Sequence, residues 1–154
     1  MRGIQPTDAN LLRAGRSAIV AGTLMEEQKN FFNLYNHGFI RVAVAVPESR
    51  VADPAFNGAR TVELMEKAQR ESAVLALFPE LGLSGYSCED LFHQQALLNA
   101  SIESLQSVLR ASEKLNLISV VGMPLQVDHL LFNCAVVLCR GRILGIVPKT
   151  YLPN

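Results

Sequence analysis

The stretch Ala73-Val-Leu-Ala-Leu-Phe78-Pro79-Glu80-Leu-Gly82-Leu-Ser84-Gly85-Tyr86 decides how this chain folds. Residues 73–78 form a continuous apolar run, too short for a helix. The run predicts a strand buried on both faces, as in parallel sheets. Pro79 has no N–H to give to a ladder and ends it. Glu80 follows at once, so a carboxylate stands at the C-terminal lip of the strand, where open α/β sheets form their ligand crevices. Gly82, Ser84 and Gly85 let the backbone turn sharply, and Tyr86 offers an aromatic face with a hydroxyl. A glutamate here also serves simply as a turn cap or a solvated side chain. What makes Glu80 a candidate is its place in the whole stretch.

Reading outward, residues 39–46 (Phe-Ile-Arg-Val-Ala-Val-Ala-Val) predict a central strand stopped by Pro47, preceded by the turn signal Asn36-His37-Gly38. His37 is read as a turn residue rather than a ligand. Asp53-Pro54 opens a loop, and residues 58–70 predict an amphipathic helix with Val62, Met65 and Ala68 on one face. Strand, helix and strand in this order make a parallel βαβ unit. After the Glu80 loop, Glu89-Asp90-Leu91-Phe92 starts a short helical turn. Residues 95–114 are the clearest helix, with Leu98, Ile102, Leu105 and Leu109 forming its sheet-facing stripe. Residues 117–122 predict a third strand. Asp128-His129 reads as a turn, with His129 at the surface. Residues 131–139 and 142–147 flank Arg140-Gly141 as an antiparallel hairpin.

The composition sets limits. The 154 residues are the length of one ordinary domain, and an apolar fraction of 49% against 18% charged is enough to bury a core. Fourteen basic residues balance fourteen acidic ones, which gives no electrostatic case for nucleic acid or an anionic membrane surface. No apolar run approaches the length of a membrane helix. Cys88, Cys134 and Cys139 are an odd number without metal-ligand spacing, the pattern of reduced thiols in a cytoplasmic protein. No G-x-G-x-x-G follows a strand, so a dinucleotide-binding domain is set aside.

Phe78-Pro-Glu-Leu-Gly-Leu-Ser-Gly-Tyr86, taken together with Pro148-Lys149-Thr-Tyr-Leu-Pro-Asn154, resembles the nitrilase superfamily of carbon–nitrogen hydrolases. Within it, Ser87-Cys-Glu-Asp-Leu-Phe-His93 and Asn33-Leu-Tyr-Asn-His-Gly-Phe-Ile-Arg41 are similar to the glutaminase domain of glutamine-dependent NAD synthetases. The resemblance covers residues 31–154. It implies an α/β fold, the N-terminal portion of a nitrilase-type α-β-β-α sandwich. Residues 25–154 are the N-terminal part of that glutaminase domain. Residues 1–24 are an upstream extension outside the fold.

The resemblance also implies roles. Glu80 matches the general base, Lys149 the lysine that stabilises the tetrahedral intermediate, and Tyr86 a residue that holds the glutamine. The family's cysteine nucleophile lies downstream of the lysine, beyond Asn154, so this chain alone is expected to be catalytically silent. Cys88 shares the Glu80 loop but has no strand-to-helix elbow. Cys134 and Cys139 read as structural. The resemblance implies no cofactor in this chain, because ATP and magnesium act in a separate synthetase domain and no Gly-rich phosphate loop occurs here. The implied partners are glutamine, the synthetase domain and further copies in a homo-oligomer. Two alternatives stand beside this reading: a stand-alone nitrilase-family amidase fragment, against which the two glutaminase-like motifs argue, and a non-catalytic truncated module.

Overall fold

A computed structural model of the chain describes residues 33–151. The boundary expected at residues 24/25 lies outside the described residues. Residues 33–40 belong to a separate unit from residues 41 onward. They hold one 3-10 turn, Leu34–His37, whose start is capped by the Asn33 side chain accepting from the Tyr35 N–H at 3.1 Å. The turn ends at Gly38, whose φ of 76° suits a residue without a Cβ.

The larger unit is one five-stranded sheet with strands in sequence order: β1 Val42–Val44, β2 Leu75–Leu77, β3 Ile118–Val127, β4 Leu130–Cys139 and β5 Arg142–Pro148. β1, β2 and β3 are parallel, joined by helices α1 (Pro54–Arg70) and α2 (Gln95–Ser112). β3, β4 and β5 form an antiparallel meander. The α1 helix begins four residues earlier than the sequence suggests. Asp53 caps it by accepting from the Phe56 N–H at 3.1 Å, and Pro54 fills the first turn, where its missing N–H costs nothing.

Strand alternation divides the sheet into two unlike faces. Ala76, Val121, Met123, Val136 and Leu138 turn toward Met65, Ala68, Leu105 and Val108 of the helices and are buried. Burying each larger side chain contributes roughly 1.5–3 kcal/mol. Gly58 lets the helices approach: a Cβ there would lie 2.2 Å from Ser104 Oγ, which instead donates to Pro54 O at 2.7 Å. Ile102 departs from the stripe expected for α2. It is exposed, and the buried line runs through Leu98, Ser101, Leu105 and Val108.

The opposite face has no helix or sheet over it among the described residues. Val42, Val44, Leu77 and Val147 all stand exposed there, Val44 by 80%. The strand expected to be buried on both faces is therefore buried on one.

Candidate active site

The Phe78 N–H donates to Val120 O at 3.0 Å, and beyond it Pro79 stops the ladder. The chain then turns over β3. The Gly82 N–H reaches back to Pro79 O (3.1 Å), and the Leu83 N–H donates to Gly122 O (3.0 Å). Gly122 is what allows this. A Cβ at that position would lie 2.6 Å from Pro79 O and 2.5 Å from Leu81 N. Leu81 is held at a φ of 51°, uncommon for a branched side chain and typical of backbone fixed by its surroundings. Behind the loop, the fully buried Asn57 clamps it. Its amide donates to Leu83 O (3.1 Å) and Arg50 O (2.8 Å), and its carbonyl oxygen accepts from the Arg50 N–H (2.7 Å).

Two strands away, the alternation of β4 places Asn133 and Ala135 on the open face, with Cys134 on the helix face opposite Met123. The chain leaves β5 at Pro148, and the Lys149 N–H donates to Asn133 O at 2.8 Å. That contact puts Lys149 beside Asn133. Lys149 Nζ lies 2.7 Å from Glu80 Oε1, and Asn133 Nδ2 donates to the same oxygen at 2.5 Å. Glu80 and Lys149, 69 residues apart in sequence, thus meet at one end of the open face. The hydrogen bonds from Lys149 and then Asn133 hold the Glu80 carboxyl below its ordinary value of 4.5, against the smaller opposing effect of burial. The Glu80 carboxylate, by the same contact, raises Lys149 above its ordinary 10.5.

Two clefts flank the pair. One, of about 300 Å³, runs along the sheet past Leu77, Val120, Gly122, Ala135 and Val147. The other, of about 370 Å³, is bounded by Leu81, Tyr86, Ser87, Glu89 and Phe92, with Glu80, Asn133 and Lys149 as its floor. Tyr86, 62% exposed, therefore faces the same space as the pair. A carboxylate, an ammonium and an amide converging between an apolar slot and a polar one can move a proton and stabilise a developing oxyanion.

None of the three thiols joins them. Cys88 is buried, with its S–H directed at Ser84 O (3.2 Å) and Gly85 O (3.3 Å), so it staples its own loop. Burial raises the Cys134 thiol above its ordinary 9.0. Cys139 lies at the far end of β4. Asn133 is the site residue that sequence reading overlooked. Its position two before Ala135 in an apolar strand marks it as facing away from the core, and only the long-range pairing with Glu80 gives that a meaning.

The carbon-nitrogen hydrolase family model matches residues 41–153. The glutamine-dependent NAD(+) synthetase of Mycobacterium tuberculosis is 44% identical over 125 residues, 81% of this chain and 18% of that protein. A solved glutamine-dependent NAD(+) synthetase from Cytophaga hutchinsonii superposes with a TM-score of 0.70 at 24% identity, over 75% of this chain and 20% of that one. An amidase from Nesterenkonia sp. superposes with a TM-score of 0.62 at 22% identity, over 75% of this chain and 44% of its own. Both solved structures share the fold, and the chain spans only about a fifth of the synthetases it matches. The family match embraces the Glu80 loop, the β4 asparagine and the lysine after β5, and on that ground this chain belongs to the carbon-nitrogen hydrolases.

Proposed function

We propose that this chain is the ammonia-supplying glutaminase portion of a glutamine-dependent NAD synthetase. The observation that carries the proposal is the 2.7 Å contact of Lys149 Nζ with Glu80 Oε1 at the end of a nitrilase-type sheet, in a chain whose curated relatives are named for that activity.

The reaction is hydrolysis of the glutamine side-chain amide through a thioester. The nucleophile is a cysteine from outside residues 33–151, as in the Nesterenkonia amidase, where acrylamide adds at an active site cysteine. Glu80 takes the thiol proton as sulfur attacks the amide carbon. Lys149 keeps one N–H on Glu80 and turns another to the oxyanion, since an ammonium has three donors. Glu80 returns its proton to the departing nitrogen, which leaves as ammonia. A water then gives a proton to Glu80 and its hydroxide to the thioester carbon; as the carbon–sulfur bond breaks, Glu80 passes that proton to the sulfur, releasing glutamate and the thiol. Tyr86 lines the polar cleft and helps hold the amino acid.

Ammonia passes to a synthetase portion, where ATP and magnesium act. Residues 33–151 hold no group of three His, Cys, Asp or Glu side chains placed to bind a metal. No described helix is long and apolar enough to cross a membrane, and we place the protein in the cytoplasm as a homo-oligomer. The test is ammonia release. The chain alone should release none from glutamine. Residues 41–153 exchanged into the M. tuberculosis synthetase should release it from glutamine in preference to simple aliphatic amides. Preference for the latter would favour an amidase instead.

A further inference from the structure

Glu80 and its neighbours meet in an uneven way. Both donors that reach its carboxylate, Asn133 Nδ2 at 2.5 Å and Lys149 Nζ at 2.7 Å, end on the same oxygen, Oε1. A carboxylate oxygen offers two lone-pair sites, so Oε1 is full. Oε2 accepts no hydrogen bond from any described residue. We infer that Asn133 is a positioning residue for Glu80: with Lys149 it occupies Oε1, so that the proton taken from the nucleophile goes to Oε2. This rests on the reading of Glu80 as the general base.

Three features support the assignment. First, Asn133 is fixed at its root. Its carbonyl oxygen accepts from the Lys149 N–H at 2.8 Å on one side, and on the other it stands opposite Pro124 of β3. A short side chain on a strand paired on both sides aims its amide with little freedom, unlike the long stem of Lys149. Second, two donors approaching Oε1 from different backbones fix the plane of the carboxylate, which a single ion pair would leave free to rotate. A base held in orientation before the substrate arrives loses no further freedom when it acts. Third, the amide is neutral. It can stay bonded to Oε1 after Glu80 has accepted its proton, when that oxygen has become the carbonyl of a carboxylic acid. Both hydrogen bonds favour the ionised form, in keeping with the lowered Glu80 pKa.

The experiment is an NMR titration of this chain with the Glu80 carboxyl carbon and the Asn133 side-chain amide labelled. It uses the wild type, Asn133→Leu, Asn133→Asp and Lys149→Met. Asn133→Asp keeps the size of the side chain, so the comparison survives if the leucine variant folds poorly. In the wild type the Asn133 amide protons should titrate with the same midpoint as Glu80 and remain dispersed on its acid side. Both Asn133 variants should move the Glu80 midpoint upward, the aspartate further because it adds a like charge. An unchanged midpoint in both variants would overturn the inference. So would collapse of the amide pair to free-asparagine positions as Glu80 protonates, since that would place the proton on Oε1. Lys149→Met separates the two levels of the argument. If it raises the midpoint while the Asn133 variants do not, only the role of Asn133 falls. If it too has no effect, the Glu80–Lys149 pair and the proposed function fall together.

Discussion

Replacing Gly122 by alanine tests how the Glu80 loop is held against the sheet. The new Cβ would stand 2.5 Å from Leu81 N, 2.6 Å from Pro79 O and 2.9 Å from the Glu80 carbonyl carbon. Ordinary contact begins near 3.4 Å, so this backbone must retreat by between 0.5 and 0.9 Å. Backbone cannot swing aside as a flexible side chain does. The loop must lift, stretching the Leu83 N–H to Gly122 O bond from 3.0 Å and drawing Glu80 away from Lys149. Overpacking of this kind costs about 1–3 kcal/mol, and a lost hydrogen bond adds about 1 kcal/mol. At about 4 °C per kcal/mol for a domain of this size, the thermal midpoint should fall by roughly 8–16 °C. Gly145→Ala is the control, because a Cβ there meets nothing within 4 Å and a strand glycine gains from losing its excess freedom. Circular dichroism melts give the midpoints, and the Glu80 carboxyl resonance reports the site. It should titrate at higher pH in Gly122→Ala. A Gly122→Ala protein that melts within about 2 °C of wild type, with Glu80 titrating as before, would refute the packing argument.

Three further outcomes follow from other parts of the structure. Asn57→Ala removes three hydrogen bonds from a fully buried side chain, takes their partner from Leu83 O and the Arg50 N–H, and leaves Arg50 O only the longer bond from the Asp53 N–H, so urea denaturation should show a loss of about 2–4 kcal/mol. The Glu80–Lys149 pair should contribute stability fully between pH 4.5 and 10.5, the ordinary values of its two groups. Glu80, with its pKa lowered in the fold, loses its share as pH falls below 4.5; Lys149, with its pKa raised, loses its share as pH rises above 10.5. The pH-stability profile of Lys149→Met should be flatter in both regions. A thiol reagent should label Cys139 before the buried Cys88 and Cys134, and a fast-reacting Cys88 would contradict its role as a loop staple.

Local signals in the sequence carry much of this fold, and its limits have physical reasons. The Phe78-Pro79-Glu80 and Pro148-Lys149 junctions are legible because proline ends a strand wherever it cannot donate, which places both charged residues just past a strand. Which faces are covered is not legible. An apolar run such as Leu75-Ala76-Leu77 reads the same whether or not something lies over Leu77, which is 44% exposed. Strand length depends on distant partners. β1 was expected over residues 39–46 but spans Val42–Val44, because its neighbour β2 is equally short. β3 was expected to stop at Gly122 but runs to Val127, because β4 pairs with it to the end. Pro124 is tolerated there. Asn133, opposite it, turns its carbonyl to Lys149 on the β5 side, so the pair is a non-hydrogen-bonded one and needs no proline N–H. Asn133 itself was missed because its partner lies 53 residues away and no spacing rule links them.

The central claim is that Glu80 is the base of a glutamine-hydrolysing site. The most direct measurement is ammonia release from glutamine by the M. tuberculosis synthetase carrying residues 41–153 of this chain, with and without Glu80→Gln. The substitution keeps the size and the Oε1 acceptor and removes the negative charge and the ability to take a proton. General-base catalysis is worth about 10²–10⁴-fold, so the rate should fall by that factor while the protein remains folded. Glutamine hydrolysis that survives Glu80→Gln at near the parent rate would contradict the account.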